Sequence, residues 1–180
     1  KNPHIDFNYS IKEGVFNVKK YPFHLSDLSC SGTINNGLNN NFNSTEIFFE
    51  NFKANTKKGG VSGYFSVSNL NNYFLNANFK SNWEMQEANY YFPESPLYEC
   101  SGAINAQTIY KGNISFDDQF AKHFTEAKHL SKVSLSNIKF LYKNYPIPIK
   151  IESSDFEIEN NRIQVHNSRI NIKDSDLAFD

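Results

Sequence analysis

The sequence predicts a mainly β protein: an elongated, antiparallel, strongly twisted sheet curled into an apolar groove, with one or two short helices. Three observations carry this. Long stretches alternate apolar and polar residues with the period of two that sends successive side chains to opposite faces of a strand. Phe156 to Val165 closes on paper into a hairpin with hardly any freedom of register. Phe and Tyr supply 17 and 10 of the 180 residues while Ala and Leu are few, which is strand rather than helix composition.

In the hairpin, a two-residue turn at Asn160-Asn161 pairs Glu159 with Arg162, Ile158 with Ile163, Glu157 with Gln164 and Phe156 with Val165. Every apolar pair lands on one face. Asn tolerates the positive φ that tight hairpin turns require, and a one-residue slip would turn Ile158 and Ile163 into water. At the other end of the chain Ile5, Phe7, Tyr9 and Ile11 alternate with Asp6, Asn8, Ser10 and Lys12. There Glu13-Gly14 reads as a second tight turn, pairing Ile11 with Phe16 and Tyr9 with Val18.

Between these ends the expected strands are Phe23 to Ile34, Thr45 to Asn55, Val61 to Val67, Tyr98 to Ala106, Thr108 to Phe116, Val133 to Tyr142 and Ile147 to Ile151. The clusters Asn35-Asn36-Gly37 and Lys57-Lys58-Gly59-Gly60 read as turns. The longest alternation starts at Tyr73 and places Leu75, Ala77, Phe79, Ser81 and Trp83 on its face. One helix is expected over Trp83 to Phe92, with Asn82 as cap and Pro93 as stop. A second candidate follows Asp117-Asp118, where Phe120, Phe124 and Ala127 recur with helical spacing. Ile147, Ile149 and Ile151 alternate, and Pro146 and Pro148 suit an edge or a strand start.

Net charge is −1 and the pI about 6.6, so there is no basic footprint for nucleic acid. No run approaches the ~20 apolar residues that cross a bilayer, and no signal peptide opens the chain. Asn makes up 26 of the 180 residues, an excess that an A/T-rich coding sequence would give. Apolar alternation at Leu177 and Phe179 runs up to Asp180, so residues 1–180 read as one β segment of a longer protein.

Two internal echoes suggest a repeated β unit. Cys30-Ser31-Gly32-Thr33-Ile34-Asn35 recurs as Cys100-Ser101-Gly102-Ala103-Ile104-Asn105, 70 residues on. Ile47 to Asn55 is echoed by Ile163 to Asn171, 116 residues on. The equivalent places of Cys30 and Cys100 make a disulfide one reading of the two cysteines, beside small buried hydrophobes and ligands; bridging requires Cα atoms within ~7 Å.

Catalytic and metal motifs are missing from the sequence. His4, His24, His123, His129 and His166 show no zinc spacing, and surface histidines account for them. Asp174-Ser175-Asp176 with Asp180 lacks the glycine and distal glutamate of a calcium loop and reads as a solvated turn. No GxSxG elbow occurs, neither cysteine has a neighbouring base signature, and Asp117-Asp118 reads as a helix or turn start. Trp83, Tyr90 and Tyr91 suit a carbohydrate platform, though packing of a short helix explains them more simply. No cofactor is expected.

Gly59-Gly60-Val61-Ser62-Gly63-Tyr64-Phe65-Ser66-Val67-Ser68-Asn69-Leu70, the short helix over Asn82 to Phe92 and the closing pattern of Ile163 to Asp180 resemble the AsmA family. The similarity is to the long AsmA-like proteins of Bacteroidetes type, related to TamB and to bridge-like lipid-transfer proteins, and it runs from about Phe23 to the end. It implies a non-enzymatic segment of a periplasmic bridge that carries phospholipid or another acyl-chain lipid between inner and outer membrane and supports outer-membrane assembly. It also implies an inner-membrane anchor outside this chain. Expected partners are lipid, neighbouring segments of the same parent protein and outer-membrane assembly components. The expected groove lining is Tyr73, Leu75, Ala77 and Phe79; Ile147, Ile149 and Ile151; Phe156, Ile158, Ile163 and Val165; and Ile170 and Ile172. The alternative is a β-sandwich module of a bacterial envelope protein, used for adhesion or carbohydrate binding.

Overall fold

The structure, a computed structural model, describes residues 2–17, 24–115, 120–160, 162–173 and 175–179. Ten strands form one sheet: β1 (Asp6–Asn17), β2 (His24–Asn35), β3 (Glu46–Asn55), β4 (Gly60–Ser68), β5 (Phe74–Glu84), β6 (Leu97–Asn113), β7 (Lys128–Tyr142), β8 (Tyr145–Glu159), β9 (Arg162–Ile172) and β10 (Ser175–Phe179). Each strand pairs antiparallel with the next in the chain, so spatial order and sequence order coincide. The edges β1 and β10 do not pair, and the sheet stays open rather than closing into a barrel. Helical pieces are short: a 3-10 turn at Phe42–Ser44, another at Met85–Glu87 continuing into α1 (Ala88–Tyr91), and α2 (Phe120–Glu126).

The hairpin of β8 and β9 has the register read from the sequence, from Glu159 opposite Arg162 to Phe156 opposite Val165. Asn160 takes φ 49°, the left-handed conformation the turn requires; Asn161 lies outside the described residues. In β5 the face of Leu75, Ala77 and Phe79 is the inner one, with Ala77 fully buried.

Several elements differ from expectation. Glu13-Gly14 is not a turn: β1 runs on through it, Ile11 pairs with Cys30, and Phe16 with Leu25. Val18 and Phe23 lie outside the described residues. The two strands expected around Ala106 are the single 17-residue β6, and Ile147 and Phe156 belong to one 15-residue β8. The first helix is shorter than expected because β5 continues through Asn82 and Trp83 to Glu84; no side chain caps the 3-10 turn that follows. Asp117-Asp118, Phe116, Asp174 and Asp180 lie outside the described residues.

The cause of most of these differences is one recurring backbone device. Glu13, Asp27, Asn51, Glu99, Asn137 and Asn167 all lie inside strands yet have φ between 49° and 56°. All six mark β-bulges where the pairing register shifts, in β1, β2, β3, β6, β7 and β9. A bulge inserts one residue, so the inner face is resumed after three residues instead of two. Phe49 and Phe52, on either side of Asn51, both contact the same Phe65 ring, with centroids 4.1 and 5.5 Å away. At Asn137 the β7–β8 register is undisturbed because β8 makes a matching irregularity near Ser153, visible where it pairs with β9. Between the two bulged regions β4, β5 and β6 pair without a shift over the whole of β5. Gly102 fits this geometry: its φ is 107°, and a Cβ there would sit 2.4 Å from the Asn137 carbonyl oxygen.

The packed core is small. Ala77, Tyr110 and Ala127 are buried together, with Phe65, Leu75, Phe79 and Ile114 against them, and α2 packs on β6 at this point. A chain of rings extends from Tyr9 through Phe49 and Phe65 to Phe52 and Phe79. The Tyr9 hydroxyl donates to the Phe48 carbonyl oxygen at 2.9 Å and passes over Gly32, where a Cβ would meet that oxygen at 1.9 Å.

The bulge at Asn51 gives a direct test. Asn51→Gly should leave the melting temperature unchanged or raised, whereas Asn51→Val, β-branched in a left-handed conformation, should cost about 1–2 kcal/mol. Equal melting temperatures for the two variants in a thermal scan would show that the strand does not bend there.

Candidate functional site

Residues directly opposite one another in an antiparallel ladder share a face, so the pairing registers assemble the inner face row by row. One row runs Phe79, Thr108, Ser131, Ile158, Ile163 across five strands. The next runs Ser81, Ala106, Val133, Phe156, Val165. Beyond the bulges, Ile138 faces Ile151, which faces Ile170, which faces Leu177; Phe140, Ile149 and Ile172 form the neighbouring row. All the groove-lining residues expected on β5, β8 and β9 therefore lie on one face, with Tyr73 just before β5 at the exposed rim.

Their surroundings differ. Ala77 is buried in the packed cluster, and Leu75 and Phe79 lie partly buried against it. Ile147, Ile149, Ile151, Phe156, Ile158, Ile170 and Ile172 are half-buried. Toward the β10 edge the face lies open, with Ile163 65%, Leu177 48% and Val165 41% exposed. The β1 edge is open too, where Phe7 and Phe16 are each 49% exposed. All ten described strands lie in one sheet, so among the described residues no second sheet covers this face as a sandwich requires.

Two pairs of hydroxyls on the inner face bond to each other. Ser154 and Ser168, both fully buried, share a hydrogen bond of 2.9 Å, and Thr108 and Ser131 share one of 3.0 Å. Each hydroxyl pair satisfies itself, so the face stays apolar towards whatever lies over it. The opposite face carries the Lys132–Glu157 ion pair at 3.3 Å, along with exposed Tyr64 and Ile109. Asp155 accepts from Ser134 Oγ at 2.7 Å and from Asn167 Nδ2 at 3.3 Å, and these two bonds hold its carboxyl below the usual carboxylate range.

A strap closes one end of the inner face. The buried carboxylate of Glu87 accepts from Thr56 Oγ1 at 3.0 Å and from the Lys58 backbone N–H at 2.6 Å. Lys58 Nζ reaches Glu84 at 3.3 Å and donates to Gln86, and Lys57 Nζ lies 4.8 Å from the Tyr90 ring centroid. The β3–β4 turn is thereby tied to the 3-10 turn and α1. Trp83 meets Tyr91 edge-on at 5.5 Å, and Tyr91 meets Tyr90 edge-on at 5.2 Å. Burial first, and then the hydrogen bond and charge of Glu87, push the Tyr91 hydroxyl up to about 12. The three rings pack on one another rather than presenting a flat platform. The strap had no sequence signal beyond the Lys57-Lys58-Gly59-Gly60 turn, because its partners lie about 30 residues apart in the chain.

The expected disulfide is corrected. Cys30 is on β2 and Cys100 on β6, with β3, β4 and β5 between them, roughly 19 Å at ~4.8 Å per strand. Both thiols are free and buried, and burial pushes both up from their ordinary pKa. The five histidines belong to separate elements: His4 contacts Asn40, His24 contacts Asn17, His123 is on α2, His129 is buried on β7 and His166 is on β9. Among the described residues no three His, Cys, Asp or Glu side chains converge as a metal site, and no helix is long and apolar enough to cross a membrane.

Comparison with protein-family models, curated proteins and solved structures finds no match to this chain.

The thiols provide the check on the topology. Non-reducing peptide mapping should recover Cys30 and Cys100 unlinked, and an aromatic disulfide reagent at neutral pH should titrate both only after denaturation. Rapid reaction of either thiol in the native protein would contradict its burial.

Proposed function

We propose that this chain is a non-enzymatic groove segment that carries phospholipid or another acyl-chain lipid along the inner face of its sheet. The observation that carries this reading is the single layer: ten strands share one apolar face, and only short helical pieces lie over part of it. The accessible surface is 12140 Å², against ~8,900 Å² for a compact monomer of this mass. A single-layer sheet has this excess of surface, and the apolar side chains exposed on its inner face, among them Ile163, Val165 and Leu177, mark where it meets another apolar body. An acyl chain suits an apolar face several strands wide, because it needs neither hydrogen bonds nor a fixed register.

The resemblance of Gly59 to Leu70, Asn82 to Phe92 and Ile163 to Asp180 to AsmA-type proteins supports the same reading. It extends that reading to a periplasmic bridge anchored in the inner membrane, continued by neighbouring segments of its parent protein and serving outer-membrane assembly.

Ile163 is the decisive position. Ile163→Arg places a cation on the open part of the face, where the long side chain can lie along its neighbours and put its head in water. The variant should stay folded by circular dichroism, with a melting temperature lowered by no more than about 2–4 °C, corresponding to ~1 kcal/mol. Phospholipid co-purified from the periplasm, read by native mass spectrometry, should fall markedly. Ala77→Arg, in the packed cluster, should instead unfold the protein. Unfolding by Ile163→Arg would mean that a dry core covers this face, and unchanged lipid in a folded variant would mean that lipid binds elsewhere.

A further inference from the structure

We propose that the hollow between α1 and the ends of β5 and β6 is a binding site for the methyl end of an acyl chain, an inference that rests on the lipid-groove reading. The hollow has a volume of about 310 Å³ and is lined by Trp83, Met85, Ala88, Tyr91, Phe92 and Ile104, with the stems of Glu84 and Glu87 at its margin.

Its chemistry selects the end of the chain rather than the headgroup. Glu87 is engaged by Thr56, the Lys58 backbone and Tyr91, and Glu84 by Lys58 Nζ, so both carboxylates are occupied by the strap. The carboxylate oxygens are turned to the strap, and what faces the hollow is ring, thioether and aliphatic carbon.

Its size selects a chain rather than a protein partner. An apolar cavity of ~150 Å³ holds one benzene ring, so this hollow takes roughly twice that, about a dozen carbons. A helix, ~10 Å across with its side chains, does not fit. Its position connects it to the open face: Ile104 is opposite Leu135, and Val133, two residues on, is opposite Phe156, which faces Val165. A lipid lying on that face can run its tail along these rows and end beside Trp83.

Trp83 is the only tryptophan in the chain, so its fluorescence reports this hollow alone. The full chain is incubated with phosphatidylcholine vesicles brominated either near the methyl end or near the carbonyl end of the acyl chains, re-isolated, and its emission compared with that after unbrominated vesicles. Bromine quenches indole at contact range, so the methyl-end label should reduce emission about twofold and the carbonyl-end label hardly at all. Ala88→Phe, which fills the hollow, should abolish the difference while lipid still co-elutes. Equal quenching by both labels, stronger quenching by the carbonyl-end label, or undiminished quenching in Ala88→Phe would overturn the assignment. The wild-type comparison of labels decides it even if the variant does not fold. Lipid retained without any quenching would refute the hollow and leave the groove reading standing. Failure to retain any lipid would refute both.

Discussion

Side-chain alternation is the constraint on which the rest of this structure depends. A straight strand of 15 or 17 residues keeps one face inward only while it does not bend, yet a sheet curls only if its strands do. The bulges resolve that conflict. Each adds one residue, bends its strand, and returns the next apolar side chain to the inner face, as Phe49 and Phe52 show by meeting the same ring. Bulges in adjacent strands reinforce one another through their side chains. Asn55 donates to the bulged Asp27 at 2.9 Å, the bulged Asn167 donates to Asp155, and Ser153 donates to the Asn167 carbonyl oxygen. Asn at three of the six positions is the residue that bears a left-handed backbone with least strain after glycine.

The same device sets how the fold is stabilised. With every strand paired to its sequence neighbour, all ladder contacts are between successive strands, and the longest connection to close is the one between Asn113 and Lys128. The packed cluster lies in the middle of the sheet, where β5 pairs with β4 and β6 without a shift and Ala127, just after α2, is buried against Ala77 and Tyr110. On the outer strands burial is local, as at Leu25 and Cys30 on β2, Ile138 on β7 and Ser154 and Ser168 on β8 and β9, and elsewhere the strands rest on ladder hydrogen bonds and cross-strand pairs. That is why a charge at Ala77 and a charge at Ile163 have such different consequences although both lie on the same face.

What the sequence made readable follows from this. Where the chain alternates without interruption, as in β5 and in the hairpin of Phe156 to Val165, strand, face and register follow directly from the pattern. Where a bulge intervenes, the pattern imitates something else. Glu13-Gly14, a left-handed residue followed by glycine, has the chemistry of a tight turn, and only the partner strand shows that it is a bulge. In β8 the irregularity near Ser153 breaks the alternation and divides one strand into two on paper. Of the two echoes, Ile47 to Asn55 and Ile163 to Asn171 is the structural one, since it superposes the bulged Asn51 on the bulged Asn167. The cysteine echo is not: Cys30 lies three residues after its bulge at Asp27, whereas Cys100 follows Glu99 directly. Equal words in the sequence thus stand at unequal places in the sheet, and the disulfide inferred from them fails on topology.

The strap at Glu87 was hidden for a different reason. Its hydrogen bonds join the β3–β4 turn to the segment between β5 and β6, across a separation that no local pattern encodes. Functionally it bears on where the inner face ends. At the β1 and β10 edges the apolar rows run out into the open, whereas beside β5 and β6 the strap sets Tyr91 and Phe92 against a hollow of about 310 Å³. A face open along its length with an apolar hollow at one corner gives an acyl chain a direction: under the proposed function, the tail is held at the strap and the headgroup points away along the rows toward the exposed strands. A second sheet would have no use for that asymmetry, because it would need burial over the whole face and most of all at Ile163, the apolar side chain of the β8–β9 hairpin left most open.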